Sequence, residues 1–244
     1  YCNVLRSILD NPAYGSIAEA MDKWQAYVKS FGFGTRLGID MPGELAGSLP
    51  GSALYDRIYG KNRWRSLTVI SLSIGQGEIG ATPLQLANLA AIMANRGHYY
   101  TPHLVREIPE DPSFRPNVER HQVMVDPENF RIIVEGMYQA VNAPAGSGAT
   151  ARQAAIPGVE MCGKTGTAQN PHGEDHSVFI CFAPKDNPRI AVAVYIEKGG
   201  FGASQAAPVA SLLVEKYLTG TIHPSRQWLY ERTLEQDLLT RHLQ

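Results

Sequence analysis

A glycine-rich stretch in the second half of the chain carries a lysine and two threonines at a spacing that could support chemistry. The stretch is GVEMCGKTGTAQN, residues 158–170, and its first eight residues satisfy the pattern G-x-x-x-x-G-K-[ST]. In nucleotide-binding proteins this pattern forms a loop whose backbone N–H groups surround phosphates. A second pattern, GQGEIG at residues 75–80, matches the G-x-G-x-x-G sequence of dinucleotide-binding folds.

The flanking residues argue against both nucleotide sites. A phosphate loop needs a buried strand before its first glycine and a helix beginning at its Lys-Thr, because the phosphate binds the free amides of that helix. The upstream segment ARQAAIP and the downstream segment GTAQNPHGED have neither pattern. After GQGEIG, Thr82 and Pro83 place the helix start beyond the third glycine, and no strand ending in an acidic residue follows at the expected spacing. We therefore favour another role for Lys164.

Four segments have the periodicity and the capping residues of helices. Ser16 and Glu19 form a capping box, Thr82 precedes a proline at the first helical position, and Ser204 is the expected N-cap of the last helix. A short apolar run at residues 67–74 fits either a strand or the end of a buried helix. The predicted helices run from Ser16 to Gly32, Thr82 to Asn95, Asp126 to Asn142 and Ser204 to Tyr217.

Extended segments dominate between the last two helices. Three of them, Val159 to Gln169, Ser177 to Ala183 and Ile190 to Glu197, are separated by the turn sequences NPHGED and PKDNP. This spacing predicts a three-stranded antiparallel meander. Helices followed by hairpins indicate an α+β fold rather than a doubly wound parallel sheet.

The composition excludes several classes of function. The chain has 244 residues with 22 basic and 23 acidic side chains, so neither nucleic acid nor an anionic membrane surface is an expected partner. No apolar run reaches the roughly 20 residues that a membrane-spanning helix needs. The three cysteines, Cys2, Cys162 and Cys181, do not have metal-ligand spacing, and buried thiols are expected. Cys162 and Cys181 could approach each other if their strands pair.

Several stretches together resemble the transpeptidase domain of class B penicillin-binding proteins, in particular the group associated with cell elongation. In chain order they are SLSIGQGEIGATPLQLANLAAIMANRG, VNAPAGSGATAR, CGKTGTAQN, HSVFICFAPKDNPRIAVAVYIEKGG and SQAAPVASLLVEKY. The resemblance covers most of residues 1–220 and leaves residues 221–244 as a tail that we expect to be partly helical. It implies the penicillin-binding/serine β-lactamase-like fold, an antiparallel sheet flanked by helices.

The resemblance also implies a reaction and a set of site residues. In this family a serine attacks the carbonyl between two D-alanines of a stem peptide, and an amino group of a neighbouring strand resolves the acyl-enzyme. Lys164 then supplies positive charge near the nucleophile, and the hydroxyls of Thr165 and Thr167 donate to the terminal carboxylate of the peptide. Gly166 lets the substrate backbone lie close. The backbone amide of Thr167 is the expected oxyanion donor.

Other implied site residues come from the glycine turns. Gln76 and Gly77 are expected to line the cleft, although a turn that serves only packing is an open alternative. Gly148, in the stretch before the Lys-Thr-Gly strand, is expected to shape the cleft as well. The implied partners are the D-Ala-D-Ala stem peptide of peptidoglycan, β-lactams and proteins of the cell-elongation machinery. No metal or organic cofactor is implied.

Two of the three signature motifs of the family do not occur in these residues. The sequence contains no S-x-x-K and no S-x-N. We therefore expect that the chain begins after both motifs and after the first strands of the sheet, and that these residues alone do not acylate. The intact protein is then expected at the periplasmic face of the bacterial inner membrane, through an anchor outside this chain. The alternatives are a penicillin- and peptidoglycan-recognising module without turnover, and a D,D-carboxypeptidase or β-lactamase-like hydrolase.

Overall fold

The computed structural model describes residues 1–237, and these form two compact units. The first unit contains Tyr1–Gln85 and Tyr99–Val125. The second contains Leu86–His98 and the chain from Asp126 onward. In chain order the helices are α1 (Cys2–Leu9), α2 (Ile17–Ser30), α3 (Ser52–Tyr59), α4 (Pro83–Ala94), α5 (Pro127–Asn142), α6 (Ala206–Thr219) and α7 (Gln227–Glu235). The strands are β1 (His98–Tyr100), β2 (Arg120–Gln122), β3 (Cys162–Ala168), β4 (His176–Ala183) and β5 (Ile190–Ile196).

Helix α2 begins where its capping residues predict. The Ser16 side chain accepts a hydrogen bond from the Glu19 amide at 3.2 Å. The Glu19 carboxylate accepts from the amide of Gly15 at 2.9 Å, one residue earlier than in a standard capping box. Both bonds satisfy amides that the first turn of a helix leaves without partners.

The apolar run at residues 67–74 is neither a strand nor an α-helix. It lies in a 3₁₀ helix, Ser66–Ile74, which Gly75 ends in the left-handed conformation with φ of 73°. Val69 and Leu72 of this helix are buried with Leu5 and Leu9 of α1 and with Trp64. The element that precedes GQGEIG is therefore a tight helix, and the strand that a dinucleotide fold requires is not formed there.

The buried amide of Gln85 holds the long loop between α2 and α3. Thr82 and Gln85 cap α4 reciprocally, with 3.2 Å from the Gln85 amide to the Thr82 hydroxyl and 3.0 Å from the Thr82 amide to the Gln85 side-chain oxygen. The Gln85 side-chain nitrogen lies 3.0, 2.9 and 2.8 Å from the carbonyl oxygens of Gly32, Thr35 and Ala46. The loop has no regular structure over most of its length, so one side chain satisfies several of its carbonyl groups.

The second unit is built on the predicted antiparallel meander. Strand β4 lies between β3 and β5, with Thr165 opposite Phe179 and Phe179 opposite Val194. One face of the sheet packs on α6, around buried Phe179 and Cys181. The opposite face contacts α5 through Cys162 and its cross-strand partner Phe182. The sheet is therefore covered by helices on both faces, as expected for the α+β fold.

A buried ion pair connects α6 with the segment that precedes α7. The Nε of Arg226 lies 2.9 Å from Oε2 of Glu215, and both side chains are almost completely buried. The two atoms attract each other as opposite charges but do not form a hydrogen bond. Arg226 also donates to the Ala155 carbonyl and, at 2.6 Å, to the Ser211 hydroxyl, and Glu215 accepts from the His223 amide at 2.9 Å. Burial lowers the pKa of Arg226, and the charge of Glu215 opposes that shift.

Candidate functional site

The residues of the Lys-Thr-Gly-Thr string all lie within β3. Lys164, Thr165, Gly166 and Thr167 are in the middle and second half of this strand. In the part of the chain that the structure describes, β3 pairs only with β4, so it is an edge strand of the three-stranded sheet. A phosphate loop would need a helix to begin at Lys164, and none does. The geometry therefore excludes a phosphate loop at this sequence.

The pleat of β3 divides the predicted site residues between two faces. Successive side chains of a strand point to opposite faces, so Thr165 and Thr167 share the face that packs on α6. Lys164 and Gly166 belong to the other face. Lys164 is exposed, and its Nζ donates to the carbonyl of Thr165 at 2.7 Å. The ammonium group therefore lies beside the strand and is accessible to solvent.

Thr150 brings the Gly148 segment to the strand. The hydroxyl of Thr165 donates to the hydroxyl of Thr150 at 3.2 Å. Two residues earlier, Gly148 has φ of 83°, and a Cβ built there would meet no atom within 4 Å. A side chain at this position would be strained because of its backbone conformation and not because of crowding. The structure thus places Thr150 next to the Lys-Thr-Gly string, and Gly148 lies two residues before it in the same segment.

Gln76 and Gly77 belong to the first unit, whereas the β3 residues and Gly148 belong to the second. Gly77 has φ of 80°, and a Cβ there would lie 2.5 Å from the Ser71 hydroxyl, so only glycine fits this turn. The residues that follow are held firmly. The Ser48 hydroxyl donates to the Glu78 carbonyl at 2.8 Å, and the Glu78 carboxylate accepts from Tyr55 at 2.8 Å.

Ser177 lies beside β3 on the neighbouring strand, and its side chain caps α6. It lies on β4 directly opposite Thr167 and is fully buried. Its hydroxyl donates to the Phe201 carbonyl at 3.0 Å and accepts from the Ala206 amide at 3.0 Å. The prediction that Ser204 caps α6 is therefore wrong. The Ser204 hydroxyl donates to the Phe201 carbonyl instead, and a serine from a distant strand accepts from the first helical amide.

Gly202 makes the closest backbone approach to the candidate site. A Cβ on Gly202 would overlap backbone atoms of Gly166 and Val178, which face each other across β3 and β4. Only glycine lets the loop after β5 lie directly on the strands at this point. Our sequence reasoning missed both Ser177 and Gly202. The run KGGFG after β5 was an available signal for Gly202, but nothing in the sequence pairs Ser177 with α6.

The two cysteines of the sheet lie on opposite faces. Cys181 is opposite Gly163, so it shares the face of Thr165, whereas Cys162 is opposite Phe182. A disulfide between Cys162 and Cys181 is therefore not formed, and both are free and buried as predicted. The same prediction is wrong for Cys2, which is exposed on the short helix α1. Burial raises the pKa of each buried thiol to about 12.

The described residues contain neither a cluster of metal ligands nor a membrane-spanning helix. Residues 1–237 contain no group of three or more His, Cys, Asp or Glu side chains that could hold a metal ion. No helix in the same residues is both long enough and apolar enough to span a bilayer.

Comparison with known proteins places this geometry in a family. The family described as penicillin binding protein transpeptidase domain matches residues 10–215. The chain is 35% identical over 220 residues to peptidoglycan D,D-transpeptidase MrdA of Haemophilus influenzae, covering 81% of this chain and 33% of the relative. It is 34% identical over 205 residues to MrdA of Acinetobacter baumannii, covering 76% and 30%. The chain thus spans about a third of the length of these relatives.

Solved structures give the same answer for the fold. The structure of Pseudomonas aeruginosa PBP2 in complex with WCK 5153 superposes with a TM-score of 0.71 at 35% identity, covering 86% of this chain and 46% of that one. PBP2 in a complex with MreC, both from Helicobacter pylori, superposes with a TM-score of 0.64 at 25% identity, covering 86% and 36%. The α+β fold is therefore that of penicillin-binding transpeptidase domains. By sequence match and by fold, this chain belongs to the penicillin-binding protein transpeptidase domain family, and the proteins it resembles include MrdA and PBP2.

Proposed function

We propose that the chain works as part of a peptidoglycan D,D-transpeptidase that cross-links stem peptides through a serine acyl-enzyme and binds penicillin. The observation that carries the proposal is the position of Lys164–Thr167 in an edge strand of the sheet, within a chain that belongs to the transpeptidase family. An edge strand offers backbone groups to an extended peptide, which a central strand cannot do.

The proposed roles follow the chemistry of acyl transfer. In the first step the serine oxygen bonds to the carbonyl carbon between the two D-alanines, and the terminal D-alanine leaves as an amine after taking up a proton. Lys164 provides positive charge beside the reacting groups, and the Thr167 amide donates to the oxyanion. Removing one such donor typically costs about 3 to 4 kcal/mol of transition-state stabilisation. In the second step an amine of a neighbouring strand replaces the serine oxygen.

The remaining assignments concern substrate binding. Thr165 and Thr167 donate to the terminal carboxylate of the peptide, and Gly166 leaves room for its backbone. Gly148 and the Gln76-Gly77 turn contribute to the cleft. The single O–H of Thr165, which donates to Thr150 in the free site, would turn to the carboxylate when the peptide binds.

The nucleophilic serine is proposed to come from sequence outside these residues. The 244 residues contain no S-x-x-K motif, and the chain spans about a third of the length of its curated relatives. In the same proposal, residues 1–220 are a portion of the transpeptidase domain and residues 221–244 a C-terminal tail. Helix α7 lies in that tail, and residues 238–244 lie outside the described residues.

Partners and location are inferred in the same way. One solved structure that this chain resembles is a complex of PBP2 with MreC, which supports a role for this protein beside proteins of the cell-elongation machinery. We place the intact protein at the periplasmic face of the inner membrane, held by an anchor outside this chain.

The proposal is tested by acylation of the full-length protein with a fluorescent penicillin, followed by mass spectrometry of products formed from stem peptides. Wild-type protein is expected to be labelled and to form cross-linked dimers. Lys164→Ala is expected to slow labelling by about a hundredfold or more, because the positive charge beside the reacting groups is lost. Lys61→Ala, which removes an exposed lysine in the first unit, is the control and should label normally.

Each contrary result has a defined meaning. A wild-type protein that binds penicillin only reversibly would be a recognition module without turnover. Labelling followed by release of hydrolysed peptide, without dimers, would indicate a carboxypeptidase or β-lactamase-like hydrolase. Normal labelling of Lys164→Ala would overturn the role assigned to that lysine.

A further inference from the structure

A cavity of about 520 Å³ lies in the second unit, apart from the predicted site residues. Its walls are the β3–β4 hairpin at Glu174, the loop from Lys198 to Gln205 after β5, and the C-terminal helix at Arg232. Its size is in the range of roughly 300 to 1,000 Å³ that small ligands occupy. Arg232 lies beyond residues 10–215, which the family matches, so one wall of this cavity is not part of the family domain.

Two cations line this cavity without carboxylate partners. Among residues 1–237, neither Lys198 nor Arg232 is in an ion pair. The backbone fixes the position of Lys198, whose amide donates to the His176 ring at 3.1 Å and whose φ is 52°. The next turn of the loop is held by the Gly200 amide, which donates to the Asp175 carbonyl at 2.7 Å. Two cations at one concave surface favour an anionic ligand.

A side-chain amide lines the same cavity. Gln205 is 7% exposed, and its side chain makes no hydrogen bond to any residue of the described part of the chain. Its amide atoms keep contact with solvent, so they are accessible to a ligand in the cavity. A peptide group carries both a donor and an acceptor and could satisfy both ends of this amide. The carboxylate of Glu174 lies beside Gly200 of the same loop and could accept from an amine.

The cavity shares a wall with the candidate site. The loop that lines it is the loop whose Gly202 lies against the backbone of Gly166 in β3. The same loop is bonded through the Phe201 carbonyl to Ser177, opposite Thr167. A ligand bound in this cavity would therefore lie next to the strand to which the proposed function assigns the reacting peptide.

We infer that this cavity binds a peptide segment that bears a free carboxylate, as a second anchor for a peptidoglycan stem peptide. Lys198 and Arg232 bind the carboxylate, Gln205 pairs with a peptide group, and Glu174 accepts from an amine. This inference rests on the proposed function and adds a binding site to it. The bound peptide can be the acyl donor or the acyl acceptor, since both stems carry this chemistry.

The test uses the full-length protein and measures two reactions. The first is acylation by a fluorescent penicillin, which has no stem peptide and should be unchanged in Arg232→Ala and Gln205→Leu. The second is cross-linking of a donor and an acceptor stem peptide, with a KM measured for each. Loss of one charge-assisted hydrogen bond is expected to raise the KM of one peptide by about tenfold. Arg232→Lys should restore part of the loss, and Arg57→Ala, an exposed arginine of α3, should change neither reaction.

The outcomes separate this inference from the function on which it rests. A rise in the KM of the donor alone or of the acceptor alone supports the site and identifies the peptide that it binds. Unchanged KM values for both peptides, with normal penicillin labelling, would overturn the site and leave the transpeptidase intact. A wild-type protein without any acylation would refute the proposed function itself.

Discussion

Replacing Arg226 with alanine tests whether a buried ion pair secures the C-terminal segment. The substitution leaves the carboxylate of Glu215, which is 1% exposed, with only the amide of His223 as a partner. It also removes the donors to the Ala155 carbonyl and the Ser211 hydroxyl. Breaking one side of a buried ion pair typically costs about 3 to 5 kcal/mol.

That cost can be measured as a shift in the thermal unfolding of the full-length protein. At roughly 2 to 4 °C for each kcal/mol in a domain of this size, Arg226→Ala should lower the melting temperature by about 6 °C or more. The double variant Arg226→Met with Glu215→Met should be more stable than either single variant, because it leaves no unpaired buried charge. Glu135→Ala is the matched control, since its ion pair with Lys185 is partly exposed to solvent and should contribute little to stability.

The reasoning about this pair would be refuted by either of two results. One is a single substitution at Arg226 or Glu215 that destabilises no more than Glu135→Ala. The other is a double variant whose loss of stability equals the sum of the two single losses, because independent sites add in that way and paired charges do not.

Three further predictions concern the sheet. Ser177→Ala should destabilise the domain by about 1 to 3 kcal/mol and slow penicillin acylation, because a buried amide at the start of α6 loses its acceptor; an unchanged melting temperature would contradict this. Gly202→Ala should destabilise by about 1 to 3 kcal/mol through overpacking against β3, as seen in urea unfolding. A maleimide at neutral pH should label the exposed Cys2 and spare Cys162 and Cys181, because burial raises the pKa of both thiols to about 12 and keeps them protonated; mass spectrometry of tryptic peptides would show any exception.

The prediction for Gly202→Ala has a control substitution within the same unit. Gly136 lies in α5, and a Cβ there would meet no atom within 4 Å. Gly136→Ala should therefore stabilise the domain by about 0.5 to 1 kcal/mol, the usual difference between these residues inside a helix. If both alanine substitutions had the same effect, the close contact of Gly202 with β3 would not explain its cost.

The elements that sequence reasoning placed well are those with local signals. Helices α2, α4 and α5 begin at capping residues or proline, and the turns between β3, β4 and β5 are rich in glycine, proline and aspartate. Helices α1 and α3 were not predicted. Each has only eight residues, and their buried side chains contribute to a core that forms only when the first unit has folded.

In the candidate site too, the features with local sequence signals were predicted, and those that depend on distant contacts were not. The Lys-Thr-Gly-Thr string was located on an extended segment from its flanking residues, and the structure has it in β3. The support behind that strand depends on contacts between distant residues. Ser177 caps a helix that begins 29 positions later, and no local pattern records that distance. The faces of Cys162 and Cys181 follow from strand register, which the hydrophobic pattern alone did not give.

The three carbonyl groups around the Gln85 amide have a consequence for how the first unit opens. A side-chain amide nitrogen carries two hydrogens, so the three acceptors must share them, and no single contact can be released without redistributing the others. The loop between α2 and α3 should therefore exchange its protected amide hydrogens in concert with the first turn of α4. Although this loop has no regular structure, it should open only as often as the first turn of the helix to which it is bound.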